Sequence, residues 1–358
     1  MKAIIVSPSL NPALNVSGVS AVTQFIIDHC TEVEYTHFAL GRADHERGGW
    51  RRLPALCKRI RAWKNLLKEN PGTLVHYNFP LSRLSILRDP FFIHLVRKAG
   101  NPLVIHVHGG SYLREDRAPW LLSKLLRWAF KGNSSVIVLS ETERRIMERH
   151  GVKNIEVLPN CVSLANAQSF QHPEPETSLR IGYLGRIAQT KGMSELLQAC
   201  RGLRARGITF NVVLAGCEEN IGEYVPAFAR DFRERFNYCG IVHSDVKDSF
   251  LKHTDVFVLP SYFEGLPMSL LESMSFGCVP VATDVGSVSS VIEDGVNGIL
   301  IPPHDVRAIT DAIARLHADH ELWKQLSEKA KDTIVEKFSP SEYSKKLIAI
   351  YNKVKNNV

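Results

Sequence analysis

Short unbroken apolar runs alternate along this chain with longer stretches in which apolar positions return every three or four residues. Runs at 3–6, 74–77, 103–107, 136–139 and 155–158 read as buried strands in the first half. Runs at 179–184, 210–215, 256–259, 279–282 and 299–301 repeat the pattern in the second. Helical spacing marks 19–29, 193–201, 306–318 and 321–338, and short helices are expected from Ser140 to Arg149, where Ser140-Glu-Thr-Glu143 has the form of a capping box, and at 287–293. Pro340 opens a terminal helix at 342–353. Strand–helix alternation of this kind builds parallel sheets covered by helices, and two rounds of it predict two α/β domains. Residues 166–178 carry Pro, Glu, Gln and Ser without periodicity, which is linker composition. The expected division is therefore 1–165, a linker at 166–178, a second domain at 179–340 and a closing helix at 341–358.

One stretch, 256–286, organises the second half. The apolar strand ends at Pro260, a loop follows, and Pro267 suits the first turn of a helix continued by Leu270, Leu271 and Met274. Gly277 fits the left-handed position just past that helix, before the next strand. Glu264 thus falls in a loop at the carboxyl end of a strand and Glu272 within the following helix. Ligands of open α/β sheets bind at such strand ends. The helix start around Pro267, Met268 and Ser269 offers N–H groups and the positive end of a dipole to an anion, most naturally a phosphate. An anion seat between two carboxylates that accept hydrogen bonds from hydroxyls suits a sugar nucleotide.

A second cationic loop follows the strand at 179–184. There Gly185-Arg186 and Thr190-Lys191-Gly192 place two cations at the crevice, Arg186 able to grip two phosphate oxygens and Lys191 compact and mobile. Solvated surface charge is the plain alternative. In the first half, alternation puts His106 and His108 on one face at the end of their strand. They read either as structural histidines bonded to backbone or, more remotely, as half of a metal site with no evident third ligand.

The spacing Glu264-x7-Glu272 inside Phe-Glu-Gly-Leu-Pro, followed by Gly-x-x-Pro-Val-x-x-Thr-Asp-x-Gly, resembles the signature of the retaining GT-B glycosyltransferases of family 4. The resemblance implies two Rossmann-like α/β/α domains facing each other across a cleft, with the last helix crossing back to the first. It implies a catalytic set of Glu264, His108, Arg186 and Lys191, and a donor site of Gly18, Arg186, Lys191, Gly216, Ile241, Glu264, Gly265, Leu266, Pro267, Met268, Ser269 and Glu272. Glu272 would accept from the ribose hydroxyls, and backbone groups around Ile241 would reach the nucleobase. Asn15, Ser17, Tyr112 and Arg114 are expected acceptor contacts. The reaction implied is transfer from a UDP- or GDP-sugar to a hydroxyl of a glycan or lipid-linked acceptor in bacterial surface polysaccharide or lipopolysaccharide synthesis. Attack and departure would share one face, the leaving phosphate helping to take the acceptor proton. No Asp-x-Asp occurs, so neither a metal nor another cofactor is expected. The chain departs from the family pattern at Ser17-Gly18, where a glycine pair is common, at Cys217, where a second glycine is usual, and at Cys161, which replaces a glycine.

Composition narrows the class. A chain of 358 residues with 44% apolar content suits two globular domains and excludes disorder as the general state. The short apolar run at the amino end is not a signal peptide, and no stretch approaches membrane-spanning length, so a cytoplasmic protein is expected. Seven scattered cysteines with no Cys-x-x-Cys pair favour reduced thiols. Residues 1–170 hold 23 Lys and Arg against 13 Asp and Glu, and the remainder 21 against 24. A basic first half points to an anionic surface, nucleic acid or acidic lipid. Residues 50–68 contain seven basic residues and no acidic one, with apolar positions 56, 60, 63, 66 and 67 on one helical face. Such a helix either lies on an anionic membrane or packs its stripe on its own sheet, and 120–131 invites the same two readings. On the membrane reading of these helices the cytoplasmic protein is peripheral on the inner face of the cytoplasmic membrane; on the packing reading it is not. A sugar-nucleotide epimerase, a non-catalytic nucleotide-sugar binder and a basic nucleic-acid-binding protein are the competing readings. The last lacks any recognisable binding module.

Overall fold

The computed structural model describes residues 1–11, 14–15, 17–41, 53–110, 119–132, 134–175, 178–219 and 222–356. They form two compact units, Met1–Asn160 with Pro340–Val358, and Cys161–Ser339.

The first unit runs β1 (Lys2–Ser7), α1 (Gly18–His29), β2 (Glu34–Ala39), α2 (Leu53–Glu69), β3 (Leu74–Phe79), α3 (Arg83–Lys98), β4 (Leu103–Val107), α4 (Trp120–Phe130), β5 (Ser135–Val138), α5 (Glu141–Arg149) and β6 (Ile155–Val157). Its six strands are all parallel, in the order β2-β1-β3-β4-β5-β6. Strands β1, β3, β4 and β5 are buried along nearly their whole length, as their continuous apolar runs require. Strand β2 escaped the sequence pattern because it lies at the sheet edge, where residues 34–39 are mostly half-buried or exposed and no apolar run is needed. At α5 the Ser140 side chain accepts from the Glu143 N–H at 3.2 Å, while Glu143 Oε2 accepts from the Leu139 N–H at 2.8 Å. The reciprocal bond of the capping box thus reaches one residue further back.

The second unit runs β7 (Leu179–Leu184), α6 (Met193–Ala205), β8 (Phe210–Ala215), α7 (Tyr224–Phe232), β9 (Phe236–Tyr238), α8 (Ser244–Lys252), β10 (Val256–Leu259), α9 (Met268–Ser275), β11 (Val279–Thr283), β12 (Ile299–Ile301), α10 (Val306–Ala318) and α11 (His320–Lys337). The sheet is again wholly parallel, ordered β12-β11-β10-β7-β8-β9. Chain direction across the sheet reverses between β7 and β10, so the loops leaving those two strands flank the topological switch point. Beneath it, the buried Asp255 carboxylate takes the Arg180 backbone N–H at 2.7 Å and its guanidinium side-on, while the Asp255 carbonyl accepts from Trp323 Nε1 at 3.1 Å. The helix expected at 287–293 is only a 3-10 turn, Val288–Ser290. Asn297 prevents its extension by taking the Glu293 N–H and donating to the Val291 carbonyl.

The final helix, α12 (Pro340–Asn356), belongs to the first unit. Tyr343 meets Phe25 edge-on at 5.7 Å, and Lys353 pairs with Glu156 at 2.6 Å.

The basic stretch at 50–68 is settled in favour of packing over its described part, residues 50–52 lying outside the described residues. Trp63 is fully buried in α2 and its Nε1 donates to the Phe92 carbonyl at 3.2 Å, while Leu56, Ile60 and Leu66 pack on the same core. Among the described residues no helix is long and apolar enough to cross a membrane.

Candidate active site

In the second unit the site is built by two left-handed glycines that clamp one loop. Gly192 (φ 72°) packs so closely that a Cβ would overlap the Pro260 carbonyl, and Gly286 (φ 62°) would in the same way strike the Glu264 carbonyl. Hydrogen bonds complete the clamp, Tyr262 N–H to the Thr190 carbonyl at 3.0 Å, Ser287 N–H to the Gly265 carbonyl at 3.0 Å and the Thr283 hydroxyl to the Ser261 carbonyl at 2.6 Å. The loop after β10 is thereby fixed against the loop after β7. Lys191, at the end of the 3-10 turn Gln189–Lys191, meets Glu264 with Nζ 2.5 Å from Oε1. Both side chains are mostly buried, at 18% and 11% exposure.

Glu272, on α9, pairs with Lys247 of α8 at 2.6 Å. The two glutamates therefore hold separate cations rather than acting as a couple. Lys247 was not identified in the sequence, where nothing in its spacing links it to Glu272. Pro267 stands at the N-cap of α9, one place earlier than expected, with no side chain capping the helix, and Leu266 is buried beneath while Gly265, Met268 and Ser269 stay partly accessible. An uncapped helix start, a few residues beyond the glutamate that pairs with Lys191, is an anion seat in charge and hydrogen-bonding terms.

Arg186 is more than half exposed and pairs with Glu219 at 2.6 Å, not with Glu264. Gly216 has φ 135°, and its N–H reaches the Gly240 carbonyl at 2.6 Å while the Tyr238 hydroxyl donates to the Gly216 carbonyl at 2.8 Å. A Cβ at Gly216 would overlap the Gly185 carbonyl, so its glycine is demanded by packing of the strand-end loops. The neighbouring Ile241 is 42% exposed, a large apolar side chain left open beside these loops.

In the first unit, Ser17 caps α1, accepting from the Ser20 N–H at 3.3 Å, and Asn15 Oδ1 accepts from the Ser20 hydroxyl at 2.8 Å. A Cβ on Gly18 would meet no atom of the described residues within 4 Å. Tyr112 and Arg114 lie outside the described residues.

His108 belongs to a buried polar network at the ends of β3 and β4. Asn78 Nδ2 donates to the Val6 carbonyl at 3.0 Å and the Thr23 hydroxyl at 3.2 Å, which makes Oδ1 the accepting end. His108 Nε2, 2.6 Å from that oxygen, must therefore carry the proton, leaving Nδ1 as an acceptor. On the other side, the Tyr35 hydroxyl donates to Tyr351 at 3.3 Å and Tyr351 donates to His76 Nδ1 at 2.6 Å. His76 Nε2 then shares its proton between Asn78 Oδ1 and His106 Nδ1, each at 3.2 Å. All these bonds fit one set of tautomers. Burial pushes His76 down to about 4 and, with the neighbouring imidazole of His76, His108 down to about 3, and it holds His106 well below the ordinary histidine range. The three rings are thus neutral at neutral pH. Among the described residues no three His, Cys, Asp or Glu side chains are grouped to hold a metal.

Comparison with known proteins bears on both units. Residues 32–166 match the family model described as Glycosyltransferase Family 4, and residues 165–333 match that described as Glycosyl transferases group 1, so the two together span most of the chain. An alpha-D-kanosaminyltransferase of Streptomyces kanamyceticus is 29% identical over 292 residues, 74% of each chain. A putative teichuronic acid biosynthesis glycosyltransferase of Bacillus subtilis is 25% identical over 263 residues, 71% of this chain and 64% of that one. Among solved structures, sucrose-phosphate synthase of Thermosynechococcus elongatus superposes with a TM-score of 0.78 at 18% identity, covering 100% of both chains. Anabaena HepE in complex with UDP-glucose gives 0.76 at 16% identity, covering 99% of this chain and 100% of that one. At these identities the structural likeness speaks to the fold.

Proposed function

Because the chain belongs to the family 4 glycosyltransferases of GT-B fold and is therefore a sugar-transferring enzyme, we propose that its donor is a nucleoside diphosphate sugar held by the second unit. The observation that carries this reading is the Lys191–Glu264 pair, mostly buried, beside the uncapped amino end of α9 at the topological switch point. In this reading Lys191 and the first turn of α9 meet the diphosphate, and Glu264 turns to a sugar hydroxyl. Glu272 accepts from the ribose, Arg186 gives up Glu219 for a phosphate oxygen, and the backbone around Gly216 and Ile241 meets the base. Breaking the anomeric C–O bond adds negative charge to the leaving diphosphate. Fixed N–H groups and cations aimed there stabilise that charge without reorganising.

The acceptor reading is a hydroxyl of a bacterial surface glycan or of a lipid-linked glycan, recognised by the first unit through Asn15 and Ser17, with Gly18 beside them kept for the donor. It is supported by the names of relatives that build teichuronic acid, capsule and colanic acid. His108, with Nδ1 free of the Asn78 bond, is an acceptor for a sugar hydroxyl. It is not a general base at neutral pH, since its conjugate acid is too strong to hold a proton there. Transfer is read as retaining, with same-face attack, and as taking place on the inner face of the cytoplasmic membrane with no metal.

Hydrolysis of a panel of UDP- and GDP-sugars, with the anomer of the product followed by NMR, tests this reading. One nucleotide sugar should be turned over and its anomeric configuration kept; an inverted product contradicts the retaining assignment, and silence across the panel contradicts the donor class.

A further inference from the structure

We propose that the outward face of α3 and α4 is the surface by which this enzyme settles on an anionic lipid bilayer, a partner that deepens the acceptor reading above. Six of the large hydrophobic side chains left exposed in the described chain lie on these two helices: Leu84 (71%), Leu87 (54%) and Phe91 (40%) on α3, and Trp120 (76%), Leu121 (46%) and Trp128 (36%) on α4. On α3 they follow spacings of three and four residues, and on α4 Trp120 and Trp128 stand two turns apart, so each set forms one stripe. The stripes are joined. His94 of α3 lies against the Trp128 ring at 5.1 Å, and Arg97 of α3 donates to the Trp128 carbonyl at 3.1 Å.

Charge identifies the occupant. Arg83 and Lys98 on α3, Lys124 and Arg127 on α4, and Lys131 just past it are all exposed. Helix α4 contains no acid, and the one acid of α3, Asp89, is buried and paired with Arg88 at 2.5 Å. An exposed apolar stripe on two helices that, among the described residues, expose cations and no acid would be poorly served by water or by an ordinary protein partner with mixed charge. Tryptophan rings and lysine stems suit the headgroup layer, where the ring stays at the boundary and the ammonium reaches a lipid phosphate. By contrast α2, the more basic of the helices, has its apolar stripe committed to the core and offers the bilayer only charge.

Flotation with equimolar phosphatidylcholine–phosphatidylglycerol vesicles tests the assignment on the full chain. The wild type should float, should remain behind with pure phosphatidylcholine, and should be released by salt. Leu84→Ser/Trp120→Ser should cut binding at least tenfold, and Lys124→Glu/Arg127→Glu should weaken it about fivefold for each cation lost. Both double variants change only exposed side chains and should hydrolyse nucleotide sugar in free solution at the wild-type rate. Hydrolysis lost in the wild type would strike the donor reading, whereas hydrolysis kept with no flotation would strike this one alone. Three further results would overturn it: unchanged flotation of Leu84→Ser/Trp120→Ser, an equal loss from Lys58→Glu/Arg61→Glu on α2, or a wild-type dimer in sedimentation velocity that Leu84→Ser/Trp120→Ser dissociates.

Discussion

Lys191 Nζ lies 2.5 Å from Glu264 Oε1, so the cation assigned to the donor diphosphate and the carboxylate assigned to its sugar neutralise each other in the free protein. A diphosphate must therefore compete with Glu264 for this lysine. Glu264→Gln should free Lys191 and tighten binding of the bare nucleoside diphosphate about fivefold, the scale of one partly screened ion pair. The same substitution should slow sugar transfer by about two powers of ten if Glu264 orients the sugar. Calorimetric titration and initial rates check the two halves separately, and weaker diphosphate binding in Glu264→Gln would mean that the pair does not open on binding.

Lys247 holds Glu272 at 2.6 Å, and neither residue is among the groups assigned to the diphosphate. Its loss should act on binding rather than on bond breaking. Lys247→Ala is expected to raise the donor KM about tenfold with kcat within a factor of about two. A fall in kcat at constant KM would assign Lys247 to the transition state instead.

The loop carrying Glu264 depends on a glycine far from it in sequence. Gly192→Ala would place a methyl group into the Pro260 carbonyl and force a left-handed backbone on alanine, at a cost of at least about 1–2 kcal/mol. Thermal unfolding should show that loss together with reduced transfer. Alanine at Gly18, where a Cβ would touch none of the described residues, should leave stability within about 0.5 kcal/mol and lower activity only if a ligand approaches there.

The buried histidines set a sign for pH dependence. His76, His106 and His108 have folded values below the ordinary 6.5, so between about 4 and 6.5 the unfolded chain binds protons that the folded chain does not. Their contribution is complete above 6.5 and is lost as pH falls below it, at up to about 1.4 kcal/mol per pH unit for each ring. Urea unfolding at pH 7.5 and pH 5 should show that drop, and Tyr351→Phe, which removes the proton donor to His76, should lower stability at both. A stability unchanged between the two pH values would mean that the rings are not buried neutral.

What was legible in the sequence follows from what each residue answers to. Strands buried on both faces announce themselves by apolar runs, and Gly277, Asp305 and Ser140 mark helix ends because capping is local chemistry. Edge strand β2 left no run to read, and the apolar stripe of α2 could not say whether it faced lipid or its own sheet, since both demand the same pattern. The Glu264 loop was legible because a loop, a strand end and a helix start lie within a few residues. Lys247 was not, since it lies 25 residues from Glu272 in the chain, on a different helix, and their meeting is fixed only by tertiary packing. The hydrogen bond from His108 to Asn78 was hidden in the same way, across the β3–β4 pairing.

Where the diphosphate sits decides the donor assignment, and a crystal structure with a bound UDP- or GDP-sugar shows it. Phosphate oxygens should lie at hydrogen-bond distance from Lys191 Nζ and from the first N–H groups of α9, with Glu264 swung from Lys191 to the sugar. A nucleotide bound away from α9, or a Lys191–Glu264 pair left intact beside it, would place the diphosphate elsewhere and remove Lys191 from the donor site.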